Sequence, residues 1–130
     1  MHILLEPTSH YPIYEQIIQQ VKANILRGVV MAGDQVPSVR EMSAQLTVNP
    51  NTVSKAYKEL EREGVFVTYR GKGTFISEDV QELVHKREVK LLKEQAEQIV
   101  ATAKQVGVTK EEMMIWIEEM FKEEEGEAHD

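Results

Sequence analysis

Cysteine is absent from this 130-residue chain, which removes disulfides, zinc-thiolate sites and cysteine nucleophiles together. Histidine is scarce. His2, His10, His85 and His129 form no i, i+4 pair and lack a carboxylate at metal-ligand spacing, so neither a metal nor another cofactor is expected. No run of 18 apolar residues occurs, and Met1–Pro7 is too short an apolar stretch for a signal sequence, so the expectation is a cytoplasmic protein with no membrane partner. No Ser/His/Asp grouping or inward carboxylate pair can be assembled, so the chain is not expected to be an enzyme. What remains is 42% hydrophobic residues, enough for one domain and an appendage.

The net charge of −7 argues against a nucleic-acid partner only if it is evenly spread, and it is not. Residues 1–77 hold eight Lys or Arg against seven acids, whereas residues 78–130 hold seven against fifteen. The acidity belongs to the second half. It culminates in Glu123-Glu124-Glu125-Gly126-Glu127, and residues 125–130 are expected to be a disordered acidic tail.

Pro12 suits a first helical turn, and Ile13, Ile17, Val21 and Ile25 recur every four residues until Arg27-Gly28 closes a first helix. Ser38-Val39-Arg40-Glu41 is a capping box that starts a second helix with apolar face Val39, Met42 and Leu46, stopping at Thr47-Val48. Asn49 offers an N-cap and Pro50 a first helical position for a third, ended by Gly64. Two short helices about three residues apart make a helix-turn-helix. Val65–Tyr69, the basic turn Arg70-Gly71-Lys72-Gly73 and Thr74–Ile76 then read as a hairpin, which after a helix-turn-helix is a wing. Helices one to three and the wing are expected to close their own core over residues 1–77.

From Glu78 the pattern turns helical, with Val80, Leu83, Val84, Leu91, Leu92, Ala96, Ile99, Val100 and Ala103 in one stripe ending before Gly107. A second capping box, Thr109–Glu112, launches a last helix through Met113, Trp116, Ile117, Met120 and Phe121. These stripes have little to bury against within their own 53 residues. Residues 78–124 are therefore read as a two-helix dimerisation region, with Leu83, Leu91, Leu92, Ile99, Val100, Met113, Trp116, Ile117, Met120 and Phe121 at the seam of a homodimer. The fold class is mainly α with a small β-hairpin.

On a helical wheel Val53, Ala56, Tyr57 and Leu60 share one side of the third helix, while Asn51, Lys55, Lys58 and Arg62 lie near the opposite side. Hydrogen-bonding residues at Asn51, Thr52, Ser54 and Lys55 suit base edges, and cations further along suit phosphates. Arg40 can reach a phosphate or a guanine edge. Ser38 reads first as a cap, with neighbouring backbone N–H groups available to a phosphate. Arg70 and Lys72 flank Gly71, which lets the wing backbone approach the minor groove. Asn49 and Thr74 complete the DNA-facing set.

The segments Pro12-Ile13-Tyr14-Glu15-Gln16-Ile17, Val36-Pro37-Ser38-Val39-Arg40-Glu41-Met42, Asn49-Pro50-Asn51-Thr52-Val53-Ser54-Lys55-Ala56-Tyr57 and Gly64-Val65 with Arg70-Gly71-Lys72-Gly73-Thr74 resemble GntR-family transcriptional regulators. The resemblance runs continuously over residues 7–77. It implies an N-terminal winged helix, a dimer, and double-stranded operator DNA with a short inverted repeat as partner. It also implies that Arg40, Asn51, Thr52, Ser54, Arg70 and Gly71 match operator-contacting positions. Family members often carry an arginine near Pro50 or Ser54, and this chain has none there. With only 53 residues after the wing the chain resembles the short YtrA-type subfamily, whose two C-terminal helices dimerise and whose members often control transporter operons. The expected function is a repressor. The alternative is a winged-helix interaction module that does not read DNA, and the sequence specifies no small-molecule effector.

Overall fold

The computed structural model describes residues 1–129, with side chains through residue 123, and the acidic tail expected over 125–130 lies outside the side chains described. Seven elements follow one another: α1 (Ile13–Leu26), α2 (Val39–Leu46), α3 (Pro50–Arg62), β1 (Phe66–Tyr69), β2 (Gly73–Ile76), α4 (Val80–Val106) and α5 (Lys110–His129). They divide into two compact units, Met1–Glu88 and Val89–Asp130. The architecture is the mainly helical one with a small hairpin that the sequence implies.

In the first unit the four-residue recurrence of α1 buries Ile17, Val21 and Ile25 completely. Met42 of α2 and Val53, Ala56, Tyr57 and Leu60 of α3 meet them, and Val65, Phe66 and Ile76 of the wing close the core from the far side. Ser38 caps α2 as read from the sequence, its hydroxyl accepting from Glu41 N at 3.1 Å while Ser38 N donates to Glu41 Oε1 at 3.1 Å. Asn49 Oδ1 accepts from Asn51 N at 2.8 Å, capping α3. The turn between these helices is sharp because Thr47 takes φ 54°, ψ 51°, a left-handed conformation costly for a β-branched residue.

Three features differ from the sequence reading. First, residues 1–6 are tied to α1 by amides repeating at i, i+4 and i+8. Gln16 Oε1 accepts from Glu6 N at 2.8 Å, Gln20 exchanges bonds with the backbone of Leu4, and Asn24 Nδ2 donates to His2 O at 3.1 Å. Ile3 is thereby buried in the core. Second, residues 33–36 pair with β2: Ile76 N donates to Asp34 O at 2.8 Å and Val36 N to Thr74 O at 2.9 Å. The hairpin gains a third edge. Third, the expected boundary at residue 77 falls inside the core, because Val80 and Val84 are fully buried there and Leu83 packs beside them. Gln81 Nε2 also donates to Ile25 O at 2.8 Å. Leu83 is thus core-facing rather than a seam residue.

In the second unit the turn at Gly107, φ 78°, joins the rest of α4 to α5, and Val108 N donates to Ala103 O at 2.9 Å. The capping box expected at Thr109 forms only in part. Thr109 Oγ1 accepts from Glu112 N at 3.1 Å, but the Glu112 carboxylate accepts a hydrogen bond from the Thr109 hydroxyl and not from the backbone N–H. Leu91, Leu92, Ile99, Val100, Trp116, Ile117, Met120 and Phe121 are exposed, and Met113 is half-buried.

Burial of Val84 sets the first expected outcome. Val84→Ala lowers stability by about 1.5–3 kcal/mol, and a chain ending at Ser77 is at least about 3–6 kcal/mol less stable than one ending at Glu88, because it loses both valines. Urea melts of the two fragments and the substituted full chain check this; equal midpoints for the fragments place the true boundary at residue 77.

Candidate nucleic-acid interface

The orientation of α3 is set by Tyr57. Its hydroxyl donates to Pro37 O at 2.6 Å, just ahead of α2, and its ring meets Phe66 edge-on at 5.0 Å. Burial pushes the phenol far above its ordinary range, with the Glu41 charge adding to the effect, so it stays a neutral donor. With Val53, Ala56 and Leu60 also buried, the helix turns Asn51, Lys55, Lys58 and Arg62 outward, as the wheel predicts. Thr52 and Ser54 are half-buried at its first turns.

The outward cations are not equivalent. Arg62 is hydrogen-bonded to Glu59, its Nε donating to Oε2 at 3.0 Å and Nη2 to Oε1. That bond holds the Glu59 carboxyl below its usual range. Lys55 Nζ stands 3.9 Å from the centroid of the Tyr14 ring. Arg40, Lys58, Arg70 and Lys72 are exposed and form no ion pair among the described residues. With Lys55, whose ammonium meets a ring instead of a carboxylate, these four carry the positive charge of this surface that no ion pair offsets among the described residues.

At the start of α2 the capping box occupies what a phosphate needs. The Ser38 backbone N–H donates to Glu41 and the Ser38 hydroxyl accepts from Glu41 N. The Glu41 carboxyl is lowered chiefly by that backbone bond, so an anion already sits at this helix N-terminus. Ser38 and Asn49 therefore act as caps. Arg40, in the first turn of α2, is exposed and forms no ion pair among the described residues.

The wing turn is closed by Lys72 N donating to Tyr69 O at 2.9 Å, with Gly71 at φ 80°. Gly73 takes φ 122°, and a β-carbon there would stand 2.6 Å from Gln35 Nε2. That amide donates to Lys72 O at 3.1 Å and braces the tip against the third edge. Thr74 is half-buried. Its hydroxyl lies 3.0 Å from that of Thr68, which donates to Glu61 Oε1 at 2.6 Å, so Thr74 links wing to α3. Arg70 and Lys72 remain exposed on either side of Gly71.

Arg40, Asn51, Lys58, Arg70 and Lys72 are exposed, as the sequence implies, whereas the contacts of Gln35 and Tyr14 have no signal in it. A lone glutamine in a loop gives no signal. Tyr14 sits one residue past Ile13 of the apolar stripe and reads as helix surface. No cluster of His, Asp and Glu able to hold a metal occurs among the described residues, and no helix there is long and apolar enough to cross a membrane.

Comparison with known proteins places this surface in context. Residues 13–76 match the family described as "Bacterial regulatory proteins, gntR family". The HTH-type transcriptional repressor YtrA of Bacillus subtilis (strain 168) is 47% identical over 95% of each chain. A transcriptional regulator from Oenococcus oeni superposes with a TM-score of 0.75 at 36% identity, covering 90% of this chain and 97% of that one. The structure titled AraR(DBD) in complex with operator ORX1 matches with a TM-score of 0.52 at 26% identity, over 59% of this chain and 96% of that one.

The two wing glycines separate backbone demand from close packing. Gly71 has open space around it and Gly73 does not. Gly71→Ala is expected to cost about 1 kcal/mol and Gly73→Ala about 2–3 kcal/mol, since it also displaces the Gln35 brace. Thermal melts of the two variants decide between this and a merely flexible tip, for which the losses are equal.

Proposed function

The chain belongs to the GntR family of bacterial transcriptional regulators, in its short YtrA-type group, and on that premise we propose that it binds a short inverted-repeat operator as a homodimer and represses transcription by occupying it. Its relatives are transcription regulators rather than enzymes. The observation that carries the reading is a set of exposed cations with no ion pair among the described residues: Arg40 in the first turn of α2, Lys58 on the outward face of α3, and Arg70 and Lys72 at the wing turn. Asn51 is the exposed amide on that face and reads a base edge, with Thr52 and Ser54 beside it. Ser38, Asn49 and Thr74 support this surface from the caps and the wing. The protein works in the cytoplasm, and the short-subfamily resemblance favours a transporter operon as its target.

The exposed apolar side chains of the second unit support the dimer. Leu91, Leu92, Ile99 and Val100 on α4 and Trp116, Ile117, Met120 and Phe121 on α5, with Met113, are too many to face water on a lone chain. A second copy covers them, and two winged helices then meet two half-sites.

Selection of bound sequences from random duplex DNA should return a palindromic site with half-sites about one helical turn apart or less, bound more weakly as salt rises. Asn51→Ala should relax preference at one position per half-site at a cost of about 1–3 kcal/mol. Lys58→Ala should weaken all sequences evenly and flatten the salt slope. A chain that enriches no duplex is instead a winged-helix interaction module.

The dimer is tested separately. Ile117→Asp should convert the full chain from dimer to monomer in sedimentation and weaken operator binding by about 10²–10⁴-fold, as the second, linked half-site contact is lost. A dimer that survives the substitution moves the seam elsewhere.

A further inference from the structure

The sequence groups Lys55 with the base-reading residues of α3, but the structure puts its ammonium over a ring on α1. Nζ lies 3.9 Å from the Tyr14 centroid, close enough for the negative face of the ring to attract the cation. The ring is itself held in place. Tyr14 packs against the first-unit core, and its hydroxyl donates to Glu15 Oε1 at 3.2 Å. The Glu15 carboxylate beside the ring is thus engaged by the phenol, Glu59 one turn further along α3 is bonded to Arg62, and Lys55 forms no ion pair among the described residues.

The contrast with Arg62 gives this arrangement its meaning. Glu59 neutralises Arg62 and occupies its donors. An aromatic face fixes an ammonium without cancelling its charge or accepting its N–H groups in carboxylate bonds, so both stay available to an anion. A compact ammonium is also a point charge without the planar fork of a guanidinium, and it suits a phosphate oxygen. Resting on the DNA-binding reading above, we propose that Tyr14 is a positioning residue whose ring holds Lys55 as a preset phosphate contact at the α1–α3 edge of the interface, and that Lys55 does not read a base.

A double-mutant cycle on the full chain tests this, using the duplex that the wild-type protein selects. Lys55→Met should weaken binding about 3- to 30-fold at low salt, flatten the salt slope, and leave the selected base preferences unchanged. Tyr14→Leu should weaken binding about 2- to 5-fold, the range of an exposed cation–ring contact. The double variant should bind no more weakly than Lys55→Met alone, and Tyr14→Phe, which restores the ring, should recover what Tyr14→Leu loses. Since Tyr14→Leu also touches the core, the free wild-type protein supplies an independent check: the ε-methylene protons of Lys55 should be shifted upfield by ring current relative to those of Lys58. Additive losses, altered base preference in Lys55→Met, tighter binding by Tyr14→Leu, or an unshifted Lys55 signal each overturn the proposal. If the wild type enriches no duplex, the DNA-binding reading falls and this one with it; if it does and the cycle is additive, only this one falls.

Discussion

A buried phenol must find an acceptor, and the way Tyr57 finds one governs the rest of the first unit. Left unpaired, its hydroxyl would carry the full penalty of a desolvated polar group, about 1–3 kcal/mol. Pro37 O lies 2.6 Å away and relieves it, but only while the residues before α2 and the middle of α3 keep their present separation. The same ring packs edge-on against Phe66, the first residue of β1. One side chain therefore fixes α3 against both the approach to α2 and the wing. The outward face of α3 and the tip at Arg70-Gly71-Lys72 are presented together because of it.

The charge on that surface is decided by pairing more than by count. Arg62 is neutralised on its own helix, and the N-terminus of α2, a natural seat for a phosphate, is filled by Glu41. The exposed cations with no ion pair among the described residues are Arg40 on α2, Lys58 on α3, and Arg70 and Lys72 at the wing turn. The formal charge of −7 is compatible with this because its acids concentrate from residue 78 onward.

What the sequence made legible is what depends on neighbours along the chain. The caps at Ser38 and Asn49, the stripe through Ile17, Val21 and Ile25, the stop at Gly64 and the outward face of α3 all follow from spacings of a few residues, and all stand where the pattern puts them. What escaped depends on distant partners. Gln16, Gln20 and Asn24 read as an ordinary polar helix face, yet they bind the backbone of residues 2–6 as a sheet edge would. The pairing of residues 33–36 with β2 has no alternation to announce it. Val80 and Val84 share an unbroken helical stripe with Leu91 and Leu92, and periodicity cannot tell that the first pair faces the winged helix while the second stays exposed. At the candidate site the same division holds: outward residues were found, but the braces Gln35 and Tyr14 were not.

Glu63 shows how the first turns of α4 are kept in register with α1 and α3. Its side chain is only 11% exposed and meets two cations, Lys22 of α1 and Arg87 of α4, each at 3.2 Å. Arg87 also reaches the Glu63 carbonyl at 3.5 Å, at the end of α3. A carboxylate this buried pays a desolvation cost that its partners roughly offset, so the cluster adds little net stability. Its consequence is geometric. Moving α1 or the start of α4 alone takes one of two cations from a nearly buried carboxylate, and moving α3 alone takes both; the cost rises toward that of a broken buried pair, about 3–5 kcal/mol, only when both are lost. The three helices are thereby held to one mutual arrangement, and the face that α3 turns outward is fixed from its C-terminal end by Glu63 as it is from its middle by Tyr57.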